Sequence, residues 1–277
     1  MRTWVNGTLL DYDDAVVSAF DHGLTVGDGA FETVKVVDGV PFALRRHLDR
    51  LARSAAGLGL PEVDKDEVWA ACAAVCAQVT LGLHRLRITY TGGIAPLGSE
   101  RGDSGPTLVV AIAPTALPAE TTSIAVVDWP RNERGALAGL KTTSYAENVI
   151  SLAHAKRIGA TEALFADTQG RLAEGTGSNV FVVVAKELLT PALSTGCLNG
   201  ITRQLVLEWI GAREAELPIS VLDEAEEVFL TSSIRDVQGV AAIVGTRHAR
   251  NLPVAPGPLT REAAALFAKH SAEDPEP

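Results

Sequence analysis

The sequence is short of positive charge, short of cysteine and without a long apolar run, and each shortage removes a class of function. Its 24 lysines and arginines face 34 acidic side chains, a formal net charge of −10. Such a field repels a phosphate backbone, so no nucleic-acid partner is expected. An anionic small molecule stays open, because a few local arginines and backbone N–H groups hold a phosphate inside a negative protein. Nowhere do 18 apolar residues run together, and the opening MRTWVNGTLLDYDDAVV has no continuous apolar segment. The chain is therefore expected in the cytoplasm, with no membrane partner. Cys72, Cys76 and Cys197 make an odd set; the first two, inside the Ala-rich run VWAACAAVCAQV, read as buried helix residues and not as a disulfide or metal pair. The sequon Asn6-Gly7-Thr8 is void in a chain that is not secreted. Histidines at 22, 47, 84, 154, 248 and 270 show neither HxH nor HExxH spacing, so no metal site is expected. No GxSxG precedes a helix, which leaves a serine hydrolase without its nucleophile. GTGSNV at 175–180 lacks the last glycine of a dinucleotide fingerprint and runs into VFVVV, where that fingerprint needs a helix.

What is present is an ordinary globular composition: 277 residues, 47% apolar and 21% charged. That is enough for one large domain or two modest ones, each with a core. TWVN and TLLD flank Asn6-Gly7 as a predicted hairpin. A second hairpin follows GDGAF, with Phe31 to Val37 as one arm, Asp38-Gly39 as the turn and Val40 to Phe42 returning. Leu44, Leu48, Leu51, Ala55 and Leu58 recur at helical steps, with His47, Asp49, Arg50 and Arg53 off the apolar stripe. A helix over about 64–80 and strands at Leu86 to Tyr90 and 107–113 complete this part. Pro114 to Thr121 has no periodicity, so the boundary falls near it: 1–118 as a small N-terminal α+β domain, 119–277 as a larger C-terminal one. The second part reads as strand 122–128, helix 145–158, strand 162–166, a turn at Gln169-Gly170, strand 179–184, helix 202–210, strands 226–231 and 238–244, and helix 259–269. The tail SAEDPEP is expected to fray.

Four short stretches carry chemistry in combination. In LKTTSY, Lys141 lies between a strand and a helix that begins near Tyr145; alone, such a lysine is a solvated amine. Glu174, in EGTGSN, stands at the mouth of an apolar strand, where a partly desolvated carboxylate wants a cationic partner. Gly200-Ile201-Thr202-Arg203 opens an amphipathic helix whose free N–H groups, with the Thr202 hydroxyl, suit a phosphate monoester. Thr231-Ser232-Ser233 add hydroxyls after the strand EVFL. Each alone is more often an N-cap or a turn. Together they match pyridoxal 5'-phosphate, which wants a lysine for its Schiff base, an acid at its ring nitrogen and fixed donors for its phosphate.

The blocks GDGAFETVKVVDG, RRHLDRL, LKTTSYAENV, EGTGSNVF, NGITRQ and FLTSSIRDVQGV, spread from about residue 3 to 245, resemble those of the class IV, fold type IV pyridoxal-phosphate enzymes. That family includes branched-chain aminotransferases, D-amino-acid aminotransferases, R-selective amine transaminases and 4-amino-4-deoxychorismate lyases. The resemblance implies Lys141 as the Schiff-base lysine and proton shuttle and Glu174 as the acid at the pyridinium nitrogen. It implies Arg50, Ile201, Thr202, Ser232 and Ser233 as phosphate contacts, and Tyr145 as a contact of the cofactor ring or its hydroxyl. It also implies a two-domain α+β fold of the D-amino-acid-aminotransferase type, the larger domain binding the cofactor in an interdomain cleft. A homodimer whose partner loop helps close the site, acting on a small amino substrate, goes with that fold.

The D-amino-acid enzymes of the family trap a carboxylate with a tyrosine in the first hairpin and an Arg-x-His pair in the loop after the strand ending here at Tyr90. This chain has Phe31 and Leu97-Gly98-Ser99 in those places. The loop TGGIAPLGSERGDSGPT, with the one basic residue Arg101, resembles the glycine-rich, Arg-bearing loop of the lyases, as does Asn199-Gly200-Ile201 followed by Arg203-Gln204. Thr33 adds a hydroxyl of the kind some lyases carry, while its neighbour Glu32 is more like the transaminases. The resemblance points to a 4-amino-4-deoxychorismate lyase, which releases pyruvate and leaves 4-aminobenzoate for folate synthesis, with Phe31, Thr33 and Arg101 toward the substrate. The alternatives are a class IV aminotransferase of D-amino acids, branched-chain amino acids or R-amines, and a non-catalytic cofactor-binding relative.

Overall fold

Asn6 and Gly7 both take positive φ, 42° and 87°, the mirror-image turn whose twist matches that of the strands it joins, and the predicted first hairpin forms around them. The computed structural model describes residues 2–277. They fall into two compact units, the first running to Leu117 and taking in Leu140–Tyr145 and Asp274–Pro277, the second comprising Pro118–Gly139 and Ala146–Glu273.

The first unit contains β1 (Arg2–Val5), β2 (Thr8–Asp11), α1 (His22–Thr25), β3 (Gly29–Val37), β4 (Val40–Pro41), α2 (Leu44–Gly57), α3 (Lys65–Cys76), β5 (Leu83–Thr91) and β6 (Thr107–Pro114). Its sheet has the order β2-β1-β6-β5-β3-β4. Side chains alternate across a strand, so Ala30, Val34 and Val36 of β3 join Leu86 and Ile88 of β5 in the core under α2 and α3. Phe31, Thr33 and Lys35 project from the other face, with Thr33 directly opposite Arg87 of β5. The helical stripe closes this core through Leu44, Leu48, Leu51 and Ala55. Cys72 and Cys76 are buried free thiols of α3.

The second unit contains β7 (Thr121–Val126), α4 (Ala146–Arg157), β8 (Glu162–Ala166), β9 (Leu172–Gly175), β10 (Asn179–Val184), β11 (Glu187–Pro191), α5 (Ile201–Ile210), β12 (Arg213–Ala215), α6 (Val221–Glu224), β13 (Glu227–Ser232), β14 (Asp236–Val244), β15 (Arg250–Asn251) and α7 (Pro258–Glu273). Its sheet runs β12-β11-β10-β13-β14-β7-β8-β9, with β15 on β14. Apolar runs such as VFVVV of β10 are buried almost throughout, as expected of central strands. Among the described residues no helix is long and apolar enough to cross a membrane.

Three features differ from the sequence-based expectations. A single cut near 118 assigns Leu140–Tyr145 to the second part, whereas these residues pack with the first unit. The cause is backbone pairing with β3: Phe31 N–H donates to Lys141 O at 3.0 Å and Thr143 N–H to Gly29 O at 2.8 Å. His47 and Arg50, off the apolar stripe, are nonetheless buried, because Glu32 reaches them from β3. The tail is not frayed. Ser271 to Glu273 complete α7, and Glu276 bonds the first turn of α2, accepting from Leu44 N–H at 2.7 Å and Arg45 N–H at 3.1 Å. Ala43 N–H donates to Pro275 O at 2.7 Å. Ala43, at the N-cap in left-handed backbone, has no capping side chain of its own, so a carboxylate distant in sequence satisfies the orphan donors.

Candidate active site

In the first unit the chemistry gathers around Phe31. The stretch 140–143 lies along the start of β3, bridged through Ala30 and Thr142, and Lys141 N–H donates to Ser54 Oγ of α2 at 3.1 Å. A Cβ on Gly57 would strike the Leu140 side chain at 2.7 Å, so the glycine lets Leu140 approach α2 closely. The result is a lysine fixed at its backbone, with Nζ 4.1 Å from the centroid of the buried Phe31 ring. Arg87 sets its Cζ 3.4 Å from the same centroid, and Tyr145 meets the ring edge-on at 5.4 Å. Both cations gain from the ring's quadrupole. Burial pushes the Arg87 guanidinium down to about 10, which leaves it charged at neutral pH. Arg87 donates to Thr89 Oγ1 at 3.3 Å, and among the described residues it forms no ion pair.

Behind Phe31, Glu32 is fully buried on the helix side of β3. It accepts from Arg50 Nε at 2.8 Å and Nη2 at 2.7 Å, and from His47 Nδ1 at 2.6 Å. Burial alone would raise the Glu32 pKa; the Arg50 charge and its bonds, with His47, overcome that and hold it at about 2. Burial also lowers the His47 pKa, against the pull of Glu32. Arg50, assigned to phosphate by resemblance, thus spends two donors on Glu32. Thr33 is half-buried on the Phe31 face. Arg101 places Nε and Nη2 each at 2.7 Å from Asp28 and donates to Leu58 O and Gly59 O at 2.7 and 2.6 Å. It ties the glycine-rich loop to the C-terminal end of α2. Sequence reasoning passed over Glu32's burial, His47 and Arg87; the one signal for Arg87 was a cation in an alternating strand.

In the second unit Glu174, near the end of β9, finds the cationic partner its position demands. Arg131 Nε stands 3.2 Å from Glu174 Oε1, and Leu198 N–H donates to Oε2 at 2.9 Å. Arg131 lies over the Phe165 ring, Cζ 4.2 Å from its centroid, and donates to Asn148 Oδ1 at 3.2 Å. Its Nε is buried and without an aligned acceptor. Arg131, in a loop between β7 and α4, had no sequence signal.

The 198–200 segment leads into α5. Gly200 is the N-cap and brings no capping side chain, and a Cβ there would collide with Asn179 Oδ1. Asn179 Nδ2 in turn donates to Leu198 O at 2.8 Å. Ile201 and Thr202, in the first turn, are buried. Opposite Asn179 in register on β13 lies Thr231, whose Oγ1 is buried with no hydrogen-bond partner. A ten-residue helix without a cap and an orphaned buried hydroxyl in one unit are what a bound anion would satisfy. Ser232 Oγ accepts from Arg235 N–H at 3.4 Å, and Ser233 follows in the turn, half-buried. Among the described residues, no group of His, Cys, Asp and Glu is arranged to hold a metal.

Comparison with known proteins adds names to this geometry. The family model described as amino-transferase class IV matches residues 29–243. A Methanocaldococcus jannaschii protein provisionally named a branched-chain-amino-acid aminotransferase is 32% identical over 255 residues, 88% of each chain. The aminodeoxychorismate lyase of Bacillus subtilis is 29% identical over 246 residues, 84% of each chain. Among solved structures, the branched-chain amino acid aminotransferase of Escherichia coli superposes with a TM-score of 0.89 at 26% identity, covering 97% of this chain and 93% of that one. A fold IV transaminase from Curtobacterium pusillum gives 0.83 at 30% identity, covering 94% and 92%.

Proposed function

The chain belongs to the class IV aminotransferase family, a pyridoxal-phosphate-dependent fold type IV family, and from that premise we propose that it is a 4-amino-4-deoxychorismate lyase. The residues present fit the cofactor. The uncapped start of α5 and the orphaned Thr231 hydroxyl suit its phosphate, and Glu174 is the carboxylate we assign to its ring nitrogen. Ile201, Thr202, Ser232 and Ser233 would hold the phosphate, with Arg50 by resemblance. Lys141 would carry the cofactor, and Tyr145 would touch its ring or hydroxyl. When bound, pyridoxal phosphate supplies an electron sink that acidifies the C–H beside an attached amine.

The observation that carries the substrate class is Arg87. It is a cation 3.4 Å from the centroid of the Phe31 ring that Lys141 also approaches, with no ion pair of its own among the described residues. A cation left so beside an isobutyl or other apolar side chain is costly, whereas a substrate carboxylate makes a charge-assisted, two-pronged pair with it. That favours a carboxylate-bearing amine, as aminodeoxychorismate is, over an R-amine that carries no carboxylate. In the reaction the Lys141 amine takes the proton from the amine-bearing ring carbon. The neighbouring C–O bond then breaks with its electron pair leaving on oxygen. The enolpyruvate released gains a proton to become pyruvate, and the ring is left aromatic as 4-aminobenzoate. Phe31 keeps water from the flank of Lys141, so the amine meets the substrate proton and not bulk solvent.

One observation favours a second reading. Arg101, which the resemblance sets over a lyase substrate, is taken up by Asp28 and two carbonyls, and without it the same residues serve an aminotransferase of acidic amino acids. Supplying aminodeoxychorismate generated in situ to the cofactor-loaded protein decides between them. Appearance of 4-aminobenzoate and pyruvate with wild type and not with Lys141→Ala is the expected outcome. Conversion of the cofactor to its pyridoxamine form by glutamate, with no 4-aminobenzoate, would replace the lyase by the aminotransferase. We also assign the working form as a cytoplasmic homodimer, supported by the resemblance and by exposed Val16, Phe20, Leu24 and Leu97 on the first unit.

A further inference from the structure

Glu162, at the first position of β8, is a carboxylate with 2% exposure, and no step above uses it. Its Oε1 accepts from Ala163 N–H at 3.0 Å, from Thr176 N–H at 3.1 Å and from the Thr176 hydroxyl. Its Oε2 accepts from Ser178 Oγ at 3.1 Å and from Arg235 Nη2 at 3.2 Å. Two turns therefore converge on one side chain. The first, 175–178, joins Glu174 to Asn179, and it is drawn in so tightly that a Cβ on Gly175 would meet Ser178 Oγ and stand 3.3 Å from Glu162 Cδ. The second, 233–235, follows Ser232 and begins with Ser233; Arg235 spans it, its N–H on Ser232 Oγ and its Nη1 2.7 Å from Gln238 Oε1. From the other side Asn148 Nδ2 donates to Thr176 O.

Resting on the cofactor reading above, we propose that Glu162 and Arg235 are a positioning pair for the cofactor. They hold the Glu174 turn, which would meet the ring nitrogen, and the Ser232–Ser233 turn, which would meet the phosphate, at one fixed spacing. The chemistry calls for such a tie. The ring nitrogen of pyridoxal phosphate and its phosphate, carried on a short CH2–O arm of the same ring, lie within one small molecule, so groups that meet both must keep a matching spacing, and displacing one against the other weakens binding. A buried carboxylate with donors from both turns fixes that spacing, since releasing either turn leaves charge and donors unsatisfied. Neither Glu162 nor Arg235 need touch the cofactor.

The pair is tested by titrating apo wild type, Glu162→Gln, Arg235→Gln and Arg235→Lys with pyridoxal phosphate and separately with pyridoxal, with the melting temperature of each apo protein measured alongside. Both glutamine variants are expected to bind pyridoxal phosphate at least tenfold more weakly. Arg235→Gln should lose less affinity for pyridoxal, which lacks the phosphate, and Arg235→Lys, which keeps a cation, should recover part of the loss. A purely structural role would lower the apo melting temperature and leave the affinity of the folded protein unchanged, and that result overturns the proposal. Arg235 is partly exposed, its side chain 23% accessible, so if Glu162→Gln fails to fold, the two Arg235 variants decide alone. Failure of wild type to bind pyridoxal phosphate would instead overturn the underlying cofactor reading, and this inference with it.

Discussion

Glu32 shows how one residue organises a site it need not enter. Its carboxylate lies fully buried between Arg50 and His47, so Glu32→Gln leaves Arg50 without its counter-charge and His47 without its anionic acceptor. Removing one partner of a buried pair costs about 3–5 kcal/mol, and urea unfolding of the apo protein is expected to report a loss of that size. The pH dependence has a definite sign. The Glu32 pKa is lowered from 4.5 to about 2, so its contribution is complete above the ordinary carboxylate range and is lost as pH falls from about 4.5 toward 2. His47, held below its usual 6.5, takes up its proton more readily in the unfolded chain, so stability also falls as pH drops through 6.5. Unfolding midpoints measured from pH 8 to 3 should decline in both windows, and a flat profile would contradict the assignment. For Arg87→Leu, loss of a bond between charged groups, roughly 1.5–3 kcal/mol, should raise KM for an anionic substrate by about ten- to a hundredfold. An unchanged KM would remove Arg87 as the anchor.

At the scale of elements, α2 is the clearest case of a helix with one visible half and one hidden half. Leu44, Leu48, Leu51 and Ala55 spelled its buried face in the sequence, because a 3.6-residue period leaves a local trace. Its N-terminal cap did not, because Glu276 arrives from more than 200 residues away and the charged, proline-bearing tail carries the composition of solvated chain. Helix caps are worth about 1 kcal/mol. Glu276→Ala should therefore lower the melting temperature of the apo protein by roughly 2–4 °C; no shift would mean that the bond to Leu44 is without weight. The same distinction divides the candidate site. Lys141, Glu174 and the start of α5 were legible as motifs, whereas Arg131, Glu162 and the burial of His47 follow from pairings that exist only once strands and loops have packed.

For the whole molecule, the family and its fold were readable from residue blocks spread over most of the chain, while the reaction was not. The family blocks are contiguous and locally constrained, so they survive as sequence signals; substrate choice depends on single side chains such as Arg87 and Arg101, whose partners are set by tertiary contacts. A cofactor that binds only the folded state stabilises it by roughly 2.7 kcal/mol at a hundredfold excess over Kd. Pyridoxal phosphate is thus expected to raise the melting temperature of wild type, and equal melting with and without it would argue against a built cofactor site.

All of this stands on Lys141 as the amine that carries the cofactor. The chain offers five other lysines, at 35, 65, 156, 186 and 269, so the direct measurement is borohydride reduction of the pyridoxal-phosphate-loaded protein followed by peptide mapping. A cofactor adduct is expected on Lys141 alone, lost in Lys141→Ala together with turnover. An adduct on another lysine, or none, would contradict it.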